Sequence, residues 1–258
     1  MSTSMLTSEM EDTRDGKVRA AIGEVVLVGV LYGLYRSGRS LTNGSVDRAI
    51  SHAAHVIRLE RAVGMFNERA VQGWVLGSNA LVTGLNRYYV LVHFPVTIAF
   101  LVWAYVRHLS AYRFIRTWFA FVTLAALAIH VMYPLAPPRM MTGFVDTLQM
   151  YGPHIYTVDP RHSVANQFAA MPSLHFGWAL MVAVSFIAIR RTRKSLLALL
   201  HPFVTLVAIV GTGNHYWIDA AVAFVLVVVV GGSLLLRAQR TGSLRWTGGR
   251  LNPGRLAA

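Results

Sequence analysis

Six apolar runs divide this chain of 258 residues, most of them close to the roughly 20 residues a helix needs to cross a bilayer. They are Val18–Tyr35, Tyr88–Val106 with an alternative start nearer Ala80, Phe114–Tyr133, Pro172–Ile189, Leu196–Val210 and Trp217–Leu236. The fifth is short unless it extends to Gly213. Hydrocarbon offers the backbone no water, so each run must satisfy its own hydrogen bonds as a helix. The expectation is an all-α polytopic membrane protein with six transmembrane helices. Composition agrees: 55% of residues are hydrophobic and mean hydropathy is +0.48, above that of ordinary soluble domains. There is no cysteine, which excludes disulfides and thiolate metal sites. No internal repeat is visible. The chain reads as a cytoplasmic N-terminal tail (1–17), without the cleavage site of a signal peptide, then one membrane domain (18–240) and a disordered basic tail (241–258).

Charge orients the helices. The net charge is +13, and well over half of the 24 basic residues sit in alternate connections. Arg14, Lys17 and Arg19 stand at the N-terminal end, up to the start of the first run, and Arg107, Arg113 and Arg116 stand about the connection of the second and third. Arg190, Arg191, Arg193 and Lys194 lie between the fourth and fifth, and Arg237, Arg240, Arg245, Arg250 and Arg255 follow the sixth. The positive-inside rule makes that side cytoplasmic, with both termini there and the plasma membrane the expected location. The basic clusters fit topology and anionic headgroups, and no nucleic-acid-binding module accompanies them. The outer side receives residues 37–79, 135–171 and the turn near Gly211–Tyr216. Within the first of these, Val46, Ile50, Ala53, Ile57 and Arg61 recur at helical spacing, which predicts an amphipathic helix at the outer interface. Residues 143–166 read as an irregular loop over the outer face.

Chemistry concentrates at three places on that face. Ala170-Met171-Pro172-Ser173-Leu174-His175 opens an apolar run, and Pro172 suits the first turn of a helix. Ser173 and His175 then lie near free N–H groups and the positive end of a helix dipole, where an anion is favoured. The second place is Asn214-His215-Tyr216-Trp217-Ile218-Asp219, where His215 and Asp219 are four apart and share one face if helical. A carboxylate there takes the proton of one imidazole nitrogen and leaves the other as nucleophile or base. The third is Pro137-Pro138-Arg139, a guanidinium able to grip two phosphoryl oxygens. Asn214 and Ser173 add neutral donors. His175, His215 and Asp219 are thus the candidate catalytic residues, and Arg139, Ser173 and Asn214 the candidate phosphate ligands.

Other polar residues read more plainly. His93 and His130 lie inside apolar runs, where inter-helix hydrogen bonding is the expected role. His52 and His55 are three apart but lack a carboxylate in register, so no metal site is expected. His154, His162, Asp146, Asp159 and Arg161 line the outer loop without a rank order.

Pro-Ser-Leu-His at 172–175, His-x-x-x-Asp at 215–219 and Pro-Pro-Arg at 137–139 resemble the signature motifs of the type 2 phosphatidic acid phosphatase superfamily, over about residues 45–236. Three positions depart from the common phosphatase pattern. Leu174 stands where Gly is usual, Met132 where a lysine is usual, and Gly211–Asn214 lacks the arginine that precedes the histidine. These departures are similar to the inositol-phosphorylceramide synthase and sphingomyelin synthase branch, whose members move phospho-headgroups between lipids. The resemblance implies that His215 is the nucleophile and becomes a phosphohistidine. By the same resemblance Asp219 orients it, His175 protonates the departing alcohol, Arg139 holds the phosphoryl oxygens, and no metal or other cofactor takes part. The implied partners are the membrane and a phospholipid or polyprenyl-type lipid phosphate. Two alternatives stay open: a lipid phosphate phosphohydrolase with water as acceptor, and a transporter that binds lipid phosphate without chemistry. Oligomeric state is not legible.

Overall fold

The computed structural model describes residues 46–152 and 167–241, helical positions 22–24, 26, 29, 30 and 33 of the first apolar run, and the backbone of two short strands in the tail. Helix α1 spans Val46–Ala62 and α2 Glu68–Leu76. Next, α3 (Asn79–Arg87) passes through a π turn at Tyr88–Val92 into α4 (His93–Arg107). The π turn sits just ahead of Pro95, which cannot donate to the carbonyl four residues back, so the widened turn absorbs the mismatch inside one continuous span. His108 alone separates α4 from α5 (Leu109–Met132). A short α6 (Thr147–Tyr151) lies in the following loop. Then come α7 (Leu174–Arg190), a 3₁₀ segment Arg193–Leu199 leading into α8 (Leu200–Gly211), and α9 (Trp217–Arg240).

Four of these stretches are long and apolar enough to cross a membrane: Asn79–Arg107, Leu109–Met132, Arg193–Gly211 and Trp217–Arg240; Leu174–Arg190 is a shorter apolar helix beside them. Six spans are therefore not shown. The expected first span, Val18–Tyr35, lies mostly outside the described residues, although Glu24 accepts hydrogen bonds from Arg116 Nη1 at 2.6 Å and the Tyr112 hydroxyl at 2.7 Å on α5. The second span starts at Asn79, which bears out the alternative start near Ala80 over that at Tyr88, because Ser78 caps it by accepting from Leu81 N–H.

The bundle core lies among α4, α5, α7 and α9, where Phe100, Ile115, Trp118, Phe119, Met181 and Val227 are buried. Trp118 packs closely against α9 because Gly231 leaves room, since a Cβ there would stand 2.8 Å from the indole. Its indole N–H donates to the Val227 carbonyl at 3.0 Å.

Helix α1 forms as its spacing predicted, but the face it buries differs. Ala49, Ala53, Val56, Ile57 and Glu60 turn inward, while Val46 and Ile50 are exposed. Small alanines let α1 approach the backbone after α5, where Ala136 N–H donates to the Ala49 carbonyl at 3.2 Å. In the tail expected to be disordered, Leu244–Thr247 (β1) pairs antiparallel with Arg250–Pro253 (β2). Most of the 143–166 loop lies outside the described residues, including His154, Asp159, Arg161 and His162.

Candidate active site

The end of α5, the start of α7, the end of α8 and the start of α9 meet at one end of the bundle, so the three motif segments converge there. Backbone hydrogen bonds stitch them pairwise. Leu135 N–H donates to the Phe168 carbonyl at 2.8 Å, tying the first motif to the second. Arg139 N–H donates to the Gly213 carbonyl at 2.8 Å, tying the first to the third, and Ser173 N–H donates to the Asp219 carbonyl at 3.1 Å, tying the second to the third. Gly213 makes its contact possible with φ of 70°, in the left-handed region that favours glycine.

His215 stands in the turn before α9, not on the helix, which corrects the shared-face expectation. Asp219, in the first turn, reaches back past Tyr216 to meet it. The His215 Nδ1 lies 2.8 Å from the Ala170 carbonyl oxygen and 3.2 Å from Asp219 Oδ2. Both neighbours are acceptors, so Nδ1 carries the proton and Nε2 keeps a lone pair. Asp219 Oδ2 is held in turn by Tyr216 N–H at 2.9 Å, and the carboxylate is fully buried. Burial pushes the His215 imidazole down to about 3; the Ala170 carbonyl opposes this and Arg139 adds to it. The ring is therefore neutral at physiological pH, the form a nucleophile requires.

Pro172 lies two residues ahead of α7 rather than in its first turn. Ser173 is the N-cap, its hydroxyl accepting from Phe176 N–H at 3.4 Å. His175 stays in the first turn, with its ring centroid 6.1 Å from that of His215. Tyr89 stacks on it at 4.2 Å and Phe94 meets it edge-on at 5.3 Å. Arg139 Nη1 donates to the Asn214 side-chain oxygen at 2.6 Å, and its Nε lies 3.6 Å from Asp146. The Asn214 amide donates to the Thr212 hydroxyl at 2.6 Å, so Asn214 aims the guanidinium as well as lying beside the site. All six candidate residues are brought together.

The neighbouring histidines divide. His130 Nε2 donates to the Pro172 carbonyl at 3.1 Å, the inter-helix bond expected of it. His93 makes no such bond; its ring nitrogens have no hydrogen-bond partner, and its centroid lies 5.0 Å from that of His175. His52 stacks on Tyr133 at 3.9 Å. Among the described residues, no cluster of three or more His, Cys, Asp or Glu could hold a metal ion. Sequence reasoning missed Glu60 and Glu68, whose carboxyl groups accept from the first N–H groups of α9. It also missed the Gln72 amide, which binds the Val145 backbone in both directions, at 3.0 and 2.9 Å, and so positions Asp146. The available signal was scarcity, since the chain has only 11 acidic residues and these two glutamates lie in the segment between the first two apolar runs.

Neither a curated protein nor a solved structure matches the chain significantly. A family model described as the PAP2 superfamily matches residues 54–232, which takes in all three motif segments. That match covers well over half of the chain, and the protein belongs to the PAP2 superfamily, whose members are generally metal-independent phosphatases acting through histidine on lipid phosphates.

Proposed function

We propose that the protein transfers a phospho-headgroup from a lipid-linked donor to a lipid alcohol through a phosphohistidine, in the manner of the inositol-phosphorylceramide synthase and sphingomyelin synthase branch. The observation that carries this reading is the His215 arrangement, in which Nδ1–H is held by the Ala170 carbonyl and Asp219 while Nε2 keeps its lone pair. In the first step, Nε2 attacks phosphorus, the bond from phosphorus to the donor oxygen breaks, and that oxygen takes a proton from the imidazolium form of His175. In the second step, the acceptor alcohol attacks phosphorus, its proton passes to His175, and the N–P bond breaks. Asp219 stabilises the charge His215 gains, and Arg139, aimed by Asn214, holds two phosphoryl oxygens.

Charge favours a diester over a monoester. The usual lysine position is Met132, which is 70% exposed, and Asp146 lies beside Arg139. A site with that little positive charge suits the single negative charge of a phosphodiester. Water in place of the acceptor would make the protein a phosphohydrolase.

The test is a rapid quench of reconstituted protein with a donor lipid radiolabelled in its phosphate, kept alkaline because phosphohistidine is acid-labile. Label is expected on wild-type protein and absent from His215→Ala; label persisting in His215→Ala places the nucleophile elsewhere. Product recovered in the lipid phase marks transfer, and product in the aqueous phase marks hydrolysis.

A further inference from the structure

The first turn of a helix leaves N–H groups without intrahelical partners. At α9, which carries Asp219, two of these are satisfied from remote sequence. Ile218 N–H donates to Glu60 Oε1 at 2.9 Å and Trp217 N–H to Glu68 Oε1 at 3.4 Å. Asn67, next to Glu68, accepts from the Trp217 indole N–H at 2.7 Å. Tyr216 N–H goes to Asp219 itself at 2.9 Å. Glu60 is 1% exposed, Glu68 and Asp219 not at all. The second oxygens of both glutamates, one oxygen of Asp219 and the Tyr216 hydroxyl have no hydrogen-bond partner.

Glu60 and Glu68 thus cap consecutive N–H groups of α9 and stand side by side in a buried place, each with one unpartnered oxygen. Two buried carboxyl groups so placed need a donor between them, and a proton is the one that fits. We propose that Glu60 and Glu68 are positioning residues: a carboxyl pair that shares one proton, caps α9, and thereby holds Asp219 in register with His215. Helices α1 and α2, outside the membrane-spanning helices, are then part of the catalytic apparatus. The inference rests on the reading of His215 and Asp219 as a catalytic pair, although the cap itself does not.

The groups facing the pair are all acidic. Glu60 comes from α1, Glu68 from α2, and Tyr216 and Asp219 from the start of α9. The guanidinium groups of the same segment, Arg61 and Arg69, stand over the Phe66 ring at 4.8 and 5.8 Å. Burial first, then the bond to Glu68, pushes the Glu60 carboxyl up to about 9. Loss of the shared proton would set two carboxylates against each other and against Asp219, and the cap would loosen. The sign for stability follows. Unfolded Glu60 loses its proton near its ordinary 4.5 while the folded group keeps it to about 9, so its contribution declines across that interval as pH rises.

The experiment compares wild type, Glu60→Gln and Glu60→Leu in detergent or liposomes. Gln keeps the acceptor for Ile218 N–H and a permanent donor toward Glu68. In the first arm, melting temperature is followed from pH 5 to 9. Wild type should lose stability relative to Glu60→Gln as pH rises, and parallel curves overturn the shared proton. In the second arm, Glu60→Leu should lower kcat by about a hundredfold with KM nearly unchanged, as expected for an ångström-scale misplacement of reacting groups. Glu60→Gln should restore most of that loss, and should lack the alkaline fall in kcat that wild type shows near pH 9. Full kcat in Glu60→Leu, or identical pH profiles in wild type and Glu60→Gln, overturns the positioning role. Should wild type itself turn over no lipid, the proposed function fails while the melting arm still decides the pair.

Discussion

At the scale of single residues, the site separates two tasks that one imidazole cannot perform at once. His215 must be neutral to attack, and burial holds it so. In the proposed reaction it must then tolerate positive charge once phosphorylated, a role we assign to Asp219 at 3.2 Å. Asp219→Asn keeps the shape and loses that charge; kcat should fall on the order of 10³–10⁴, as for a triad carboxylate, with donor KM little changed. His175→Ala should fail at proton delivery instead. Its activity should recover with a nitrophenyl phosphodiester, whose leaving group departs without a proton, and absence of recovery would remove His175 from the acid role. These residues were legible in the sequence because histidine, aspartate and arginine at the edge of an apolar run have few other uses. Glu60 and Glu68 were not, since an acid on an amphipathic helix ordinarily faces water, and the N–H groups they cap lie about 150 residues further along the chain.

At the scale of elements, helix existence was legible and helix ends were not. Apolar length marked α5, α7 and α9 directly, whereas capping decided the boundaries. Ser173 took the N-cap of α7 and left Pro172 outside, and Ser78 decided between the two possible starts of the second span in favour of the one near Ala80. The buried face of α1 could not be read from periodicity alone, because its small alanines rather than its larger Val46 and Ile50 meet the protein. The turn from α8 to α9 shows how local geometry reaches the site. Gly213 has φ of 70°, and a Cβ there would stand 2.6 Å from the Gln72 amide nitrogen. Gly213→Ala should destabilise the protein by about 1–2 kcal/mol from the left-handed conformation alone. Because the Gly213 carbonyl holds the Arg139 backbone and Gln72 holds the loop carrying Asp146, donor KM should also rise. A melting curve and a KM measured on one preparation check both effects, and an unchanged KM would detach the turn from phosphate binding.

At the scale of the whole molecule, alternating helices send the site residues to one end of the bundle and the arginine-rich connections to the other. Arg190, Arg191 and Arg193 follow the end of α7, opposite its first turn with His175, and Arg237 and Arg240 end α9, opposite Asp219. A polar site at a bundle end gives a lipid phosphate access from the headgroup layer while its tails stay in hydrocarbon. For the side of the membrane we propose the orientation the positive-inside rule favours: the arginine-rich end in the cytoplasm and the opposite end, with Arg139, His175 and His215, outward. The absence of cysteine makes this directly measurable, because each introduced cysteine reports one position. Met150 lies on α6, between α5 and α7, and is 64% exposed, while Arg193 lies in the basic connection after α7. In intact cells an impermeant thiol reagent should label Met150→Cys and spare Arg193→Cys, and both should label after permeabilisation. The reverse pattern would place the site in the cytosol, with donor and acceptor lipids drawn from the inner leaflet.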